Sequence, residues 1–145
     1  EVAILFAGIF ATMIPALDWL ELNSHSLGIV SPGQYYWGAG TLSSVLDNAP
    51  TYLAFLNIAL GRLYAGLPYA AQVSRIVAER PDVLAAISCG SVFMGACTYV
   101  GNAPNFMVLS IAREHGVRMP SFFGYMLWSG LVLLPTFVLI TLVFF

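Results

Sequence analysis

Two apolar segments of this chain break at the same three residues, Asn-Ala-Pro. One reads Asp47-Asn48-Ala49-Pro50-Thr51 and the other Gly101-Asn102-Ala103-Pro104-Asn105. Proline lacks the backbone donor and pushes the residue before it out of helical geometry, while Asn and Gly accept turns and caps. Each break is therefore expected to be a helix end, a short non-helical link and a new helix start. In lipid, such freed backbone survives only where protein or a water-filled cavity satisfies it.

Composition places these segments in lipid. Of the 145 residues 59% are hydrophobic and only 8% charged, with mean hydropathy +0.85, against roughly 25% charged residues in a soluble domain. An ordinary soluble enzyme and a disordered tail are excluded. The five basic residues are all Arg and scattered, so no basic stripe is present to neutralise phosphates, and nucleic acid is not an expected partner. The net charge of −2 says little about partners. The expectation is a piece of an integral membrane protein. Its first residue is Glu1 rather than Met, and Val2–Leu17 is already uncharged and apolar, without a basic region before it or a cleavage site after it. Cys89 and Cys97 lack metal-type spacing and read as small buried residues.

Charges mark the segment ends. Val2–Leu17 gives way to Asp18, Trp19 and Glu21, an interfacial exit, and Asn23 to Gly33 reads as a loop. Gln34–Leu60 is apolar except for Asp47. Tyr69–Arg80 follows Pro68, places Val73, Ile76 and Val77 on one side and stops at Pro81, which suits an amphipathic helix at the interface. Val83–Ala112 and Met119–Phe145 contain no charge, and each is long enough for a transmembrane helix of roughly 20 residues. Arg113, Glu114, His115 and Arg118 form the turn between them. Trp37, Tyr125 and Trp128 lie near segment ends, as an interfacial belt would place them.

Length suggests where the first break lies. Tyr35–Leu46 is about 12 residues, roughly 18 Å, and Tyr52–Leu60 about 9 residues, roughly 14 Å. Neither spans a hydrocarbon core of roughly 30 Å, but each reaches its middle. The expected solution is a re-entrant hairpin with its tip near the midplane, facing an unwound helix at Gly101–Asn105. Paired breaks of this kind point to the binding site of a secondary transporter, with unwound carbonyls and helix C-terminal ends suited to a cation.

Asp47 sharpens that expectation, because a carboxylate near the bilayer centre is normally functional or paired. Ser43 and Ser44 can share its helix face, and Thr41, Thr51, Asn48, Asn102 and Asn105 add neutral oxygens. One carboxylate with several neutral oxygens makes a shell for sodium, with Asp47, Asn48 and Asn102 as the candidate ligands. The same carboxylate can hold a proton instead, as exchange of the two requires. The plainer alternative is a turn between two complete helices, with Asp47 capping in water. Pro15 and Pro135 read as tolerated kinks, Asp18 and Glu21 as solvated boundary residues, His25 and His115 as loop residues, and Gly38, Gly40, Gly90 and Gly95 as aids to close helix packing.

The tip "SSVLDNAPT" followed by a helix carrying "GNAPN" resembles the C-terminal half of the ion transporter superfamily. That group includes divalent-anion/sodium symporters, citrate transporter-like proteins, arsenite permeases and NhaD-type sodium/proton antiporters. The resemblance covers nearly the whole chain. It implies an all-α membrane protein: one of two inverted repeats, commonly in a homodimer, in a bacterial inner (plasma) membrane. It divides the chain into a transmembrane helix (2–20), a re-entrant hairpin (34–60), an interfacial helix (69–80), a broken transmembrane helix (83–112) and a last transmembrane helix (119–145). The N-terminal repeat, the chain's expected partner, lies outside this sequence. In the dicarboxylate branch the tip typically carries Ser-Asn-Thr for sodium and substrate carboxylates. Here Asn48 and Thr51 stand in altered spacing, and Asp47 occupies the place of a Ser. A fixed negative charge repels a carboxylate substrate, which tilts the resemblance toward sodium/proton exchange.

The expected function is therefore sodium/proton antiport, with Ser43, Ser44, Asp47, Asn48, Thr51, Gly101, Asn102 and Asn105 as site residues and Pro50 and Pro104 as structural breaks. The alternative is sodium-coupled transport of citrate or another organic anion. No cofactor is expected beyond sodium and protons as transported or coupling ions. An intramembrane aspartyl protease would need a second intramembrane Asp, and no GxGD, HExxH or Ser/His pair is present. A channel or a purely structural subunit would have uninterrupted helices.

Overall fold

The computed structural model describes the backbone of residues 2–145, and the side chains of all of these except residues 2–6, 9, 10 and 103. The opening of the first apolar run and Ala103 of the second triplet thus lie outside the described side chains. The described residues are mostly helical, with no strand among them. Helix α1 is Val2–Leu22, with Pro15 inside it. Helix α2, Pro32–Ser43, starts at a capping box: Ser31 Oγ accepts from the Gln34 backbone amide, and Gln34 Oε1 accepts from the Ser31 amide. Pro32 occupies the first turn, where its missing N–H costs nothing.

Residues 44–47 join α2 to α3, Asn48–Tyr64. Then follow α4, Tyr69–Glu79, and α5, Pro81–Phe93, which tightens into a 3-10 turn at Met94–Cys97. Residues 98–102 are not helical, and α6 begins at Ala103 and ends at Glu114. Helix α7, Phe122–Phe144, is capped by Ser121 Oγ, which accepts from the Gly124 amide. At 23 residues it is roughly 34 Å long, enough for a hydrocarbon core of about 30 Å. Among the described residues it is long and apolar enough to cross a membrane.

Small residues hold the core together. α2 and α5 form the most extensive helix pair, and a Cβ at Gly90 would strike the Tyr36 carbonyl while one at Gly40 would strike Met94. This close approach buries Tyr35, Tyr36 and Ala39 against Val83, Ala86 and Ile87, with Phe55, Ala59 and Leu60 of α3 completing the layer. α7 is the reverse case. Among its residues only Ser129 and Phe137 are buried, and Leu127, Leu131 and Leu142 stand exposed.

Three sequence expectations need correction. The second arm does not end near Leu60: Gly61 packs against the Glu21 backbone rather than breaking the helix, and α3 continues to Tyr64. The arm is thus 17 residues, roughly 25 Å, and its shortness no longer argues for a tip at the midplane. Glu21 is not simply solvated, because its Oε1 accepts from Gln72 Nε2 at 3.1 Å and ties α1 to α4. The inward face of α4 is Gln72 and Ile76, both buried, whereas Val77 points outward.

Candidate functional site

The link between α2 and α3 is held by its own side chains. Asp47 is the N-cap of α3, and its Oδ1 accepts from the Asn48 amide at 2.8 Å. Buried Thr51 donates through Oγ1 to the Asp47 carbonyl at 3.0 Å. The first backbone donor into α3 is the Thr51 amide, directly after Pro50. The second break repeats that design. Asn102 is the N-cap of α6, and the Asn105 amide, directly after Pro104, donates back to the Asn102 carbonyl at 3.0 Å. Each proline thus sits where its missing N–H leaves no helical bond unmade.

Between α5 and α6 the chain leaves helical geometry at Thr98, whose φ of −133° and ψ of 165° are extended. Thr98 then organises the link. Its Oγ1 accepts from the amides of Val100 (3.2 Å) and Gly101 (2.9 Å) and donates to the Ser44 carbonyl at 2.5 Å. Asn105 Nδ2 donates to the carbonyls of Gly95 (2.9 Å) and Thr98 (3.0 Å).

The two breaks meet. Ser43 Oγ donates to the Ser91 carbonyl at 2.5 Å. The Asn48 carboxamide, oriented as its surroundings require, donates through Nδ2 to the Ser91 carbonyl (2.9 Å), Ser43 Oγ (2.9 Å) and the Gly101 carbonyl (3.2 Å). A Cβ at Gly101 would lie 2.6 Å from the Gly95 carbonyl oxygen and 2.8 Å from those of Ser43 and Ser44. Backbone oxygens from the end of α2 and from the 3-10 turn therefore converge on Gly101. Helix C-terminal ends carry partial negative charge, and the oxygens gathered here come from the end of α2 and the 3-10 turn, with the first residues of α3 and α6 beside them.

Ser43, Ser44, Asn48, Gly101 and Asn105 come together here, and Thr51 braces the start of α3. Ser44 takes part through its carbonyl, since its hydroxyl donates to Thr41 within α2. Asp47 and Asn102 sit at the rim: Asp47 is half-buried and bonds its own helix start, and Asn102 makes no side-chain cap bond. His25 and His115 are exposed in turns, and among the described residues no group of three or more His, Cys, Asp or Glu could hold a metal ion. Any cation site at the junction would be built from neutral oxygens with at most one carboxylate.

Thr98, Ser91 and Gly95 also take part in the junction; the first two were not singled out in the sequence, and Gly95 was read there only as an aid to helix packing. A Thr three residues before a Gly in a break is a recognisable side-chain-to-backbone turn signal. Ser91 carried no such signal, because a hydroxyl in an apolar segment reads as filler. A cavity of about 250 Å³ lies beside the junction, lined by Trp37, Thr41, Ser44, Cys97, Thr98 and Ser129 among others.

Two interruptions between helices are thus bonded to each other within a strongly apolar helical chain. The whole chain, residues 1–145, matches the family CitMHS_2, described as "putative citrate transport", and it belongs to that citrate transporter-like family. No curated protein and no solved structure matches the chain.

Proposed function

We propose that this chain forms the cation-binding half of a secondary transporter that exchanges sodium for protons. In this reading α2 and α3 form a re-entrant hairpin, α5 and α6 a broken transmembrane helix, and a second, inverted repeat completes the carrier. Sodium binds where the two breaks meet, on backbone oxygens and Asn48, with Asp47 and Asn102 closing the shell from the rim. The observation that carries the proposal is the position of Asp47. Its carboxylate caps the start of α3 at Asn48, the residue whose side chain bonds within the junction, and among the described residues the only ion pair is Arg80–Asp82, so no Arg pairs with it. A carboxylate in that position takes sodium or a proton, and competition between them is what exchange requires. The family match favours a second reading, in which the same cation site drives uptake of citrate.

Sodium binding to the purified, intact protein tests the site itself. Apparent affinity is expected to fall as the proton concentration rises, because in this reading protons and sodium compete for one carboxylate. Asp47→Asn should weaken binding and abolish its pH dependence while keeping the helix start, because Asn caps as well as Asp does. Sodium affinity that is independent of pH, or unchanged in Asp47→Asn, contradicts the proposal.

A further inference from the structure

Four consecutive carbonyls, those of Gly95, Ala96, Cys97 and Thr98, stand at the end of the 3-10 turn, where the chain turns extended at Thr98. A buried carbonyl left unpaired is costly, and more so away from water. All four find side-chain donors. Asn105, inside the break, takes Gly95 and Thr98. The other two are taken from outside: Tyr125 Oη donates to the Ala96 carbonyl at 2.9 Å, and Ser129 Oγ to the Cys97 carbonyl at 2.6 Å. Tyr125 also stacks on Tyr99, with ring centroids 4.2 Å apart, and Tyr99 Oη donates to the Pro120 carbonyl at 3.3 Å. The buried Ser129 hydroxyl is the innermost of these donors.

The carbonyls therefore divide between two sides. That of Gly95 lies against Gly101 at the junction, while those of Ala96 and Cys97 are bonded to α7. We infer that α7 sets the geometry of the cation site through Tyr125 and Ser129, and that Ser129 is a positioning residue for it. This inference rests on the proposed cation site. By pinning the Cys97 carbonyl, Ser129 fixes the rotation of the 3-10 turn and so the direction in which the Gly95 carbonyl points. Without it the Cys97 carbonyl is free to turn into the adjoining cavity, which Cys97, Thr98 and Ser44 also line.

The test uses the intact protein in proteoliposomes, on a Cys89→Ser background that leaves Cys97 as the reporter thiol within this chain. Ser129→Ala should raise the sodium concentration for half-maximal transport roughly tenfold, or about 1.4 kcal/mol, with the maximal rate per folded protein little changed. Ser129→Thr, which keeps a hydroxyl, should restore it. Thr136→Ala should not shift it, because that hydroxyl bonds only its own helix, at Val132. A purely structural role would lower the amount of folded protein without moving this midpoint. A second readout does not depend on transport: Cys97 should react roughly tenfold faster with a small thiol reagent in Ser129→Ala. Transport without sodium dependence in the unsubstituted protein refutes the proposed function, and the labelling then decides the clamp alone. Unchanged labelling in Ser129→Ala, or an unchanged sodium midpoint in a sodium-dependent carrier, overturns the inference.

Discussion

Gly101 lacks a side chain at a point where three carbonyl oxygens surround its missing Cβ, and those oxygens belong to backbone that cannot swing aside. Gly101→Ala should therefore cost roughly 1–3 kcal/mol and disrupt transport. Gly130→Ala is its control, because a Cβ there meets only Leu134 Cδ1 at an ordinary 3.8 Å, and it should be neutral or slightly stabilising. Thermal unfolding of both variants in detergent checks this, and equal midpoints would contradict the crowding. At this scale the sequence was informative wherever a residue breaks a local rule. Proline and Asn in an apolar run, and a lone carboxylate, are conspicuous. Ser91 breaks no rule, so its part in the site is visible only once the two breaks are seen to share bonds, whereas Thr98 carries a turn signal through its spacing to Gly101.

Helices were legible where punctuation was strong and less so where packing overrode it. Ser31-Pro32 with Gln34 is a capping box with proline in the first turn, and α2 starts there. Gly61 resembles a stop and is not one, because the Glu21 backbone lies against the face where its side chain would be. The face of α4 was misjudged because Gln72, a polar residue, is buried by its bonds to Glu21 and the Leu67 carbonyl. The α2–α5 pair carries a prediction of its own. Gly90→Ala drives a methyl into the Tyr36 carbonyl and within 3.2 Å of the Gly40 amide nitrogen, and should destabilise the protein by about 1–3 kcal/mol. Gly38→Ala meets the edge of the Phe55 ring, a side chain rather than backbone, and should cost less. A reversed order in thermal unfolding would mean that this helix pair yields more easily than its packing implies.

For the whole molecule, composition indicated a membrane protein, and the family match agrees. The arrangement of the helices about a bilayer is a further claim, and α7 gives it a physical test. Trp128 is exposed on the apolar surface of α7, whereas Trp37 is half-buried and donates through Nε1 to Thr141 Oγ1 at 3.0 Å. In variants keeping one Trp each, brominated acyl chains should quench Trp128 more strongly than Trp37, and strong quenching of Trp128 by aqueous iodide would contradict a lipid-facing α7. The coupling chemistry was not legible from fold or family, since one oxygen-rich junction can serve antiport or citrate uptake. The most direct measurement reconstitutes the intact protein in liposomes holding a pH-sensitive dye. Sodium is added with and without citrate, to the unsubstituted protein and to Asp47→Asn. Sodium-driven proton movement that needs no citrate and disappears in Asp47→Asn is the expected result. Citrate entry that requires sodium, with no proton movement in citrate's absence, would contradict antiport and leave Asp47 an aid to cation binding.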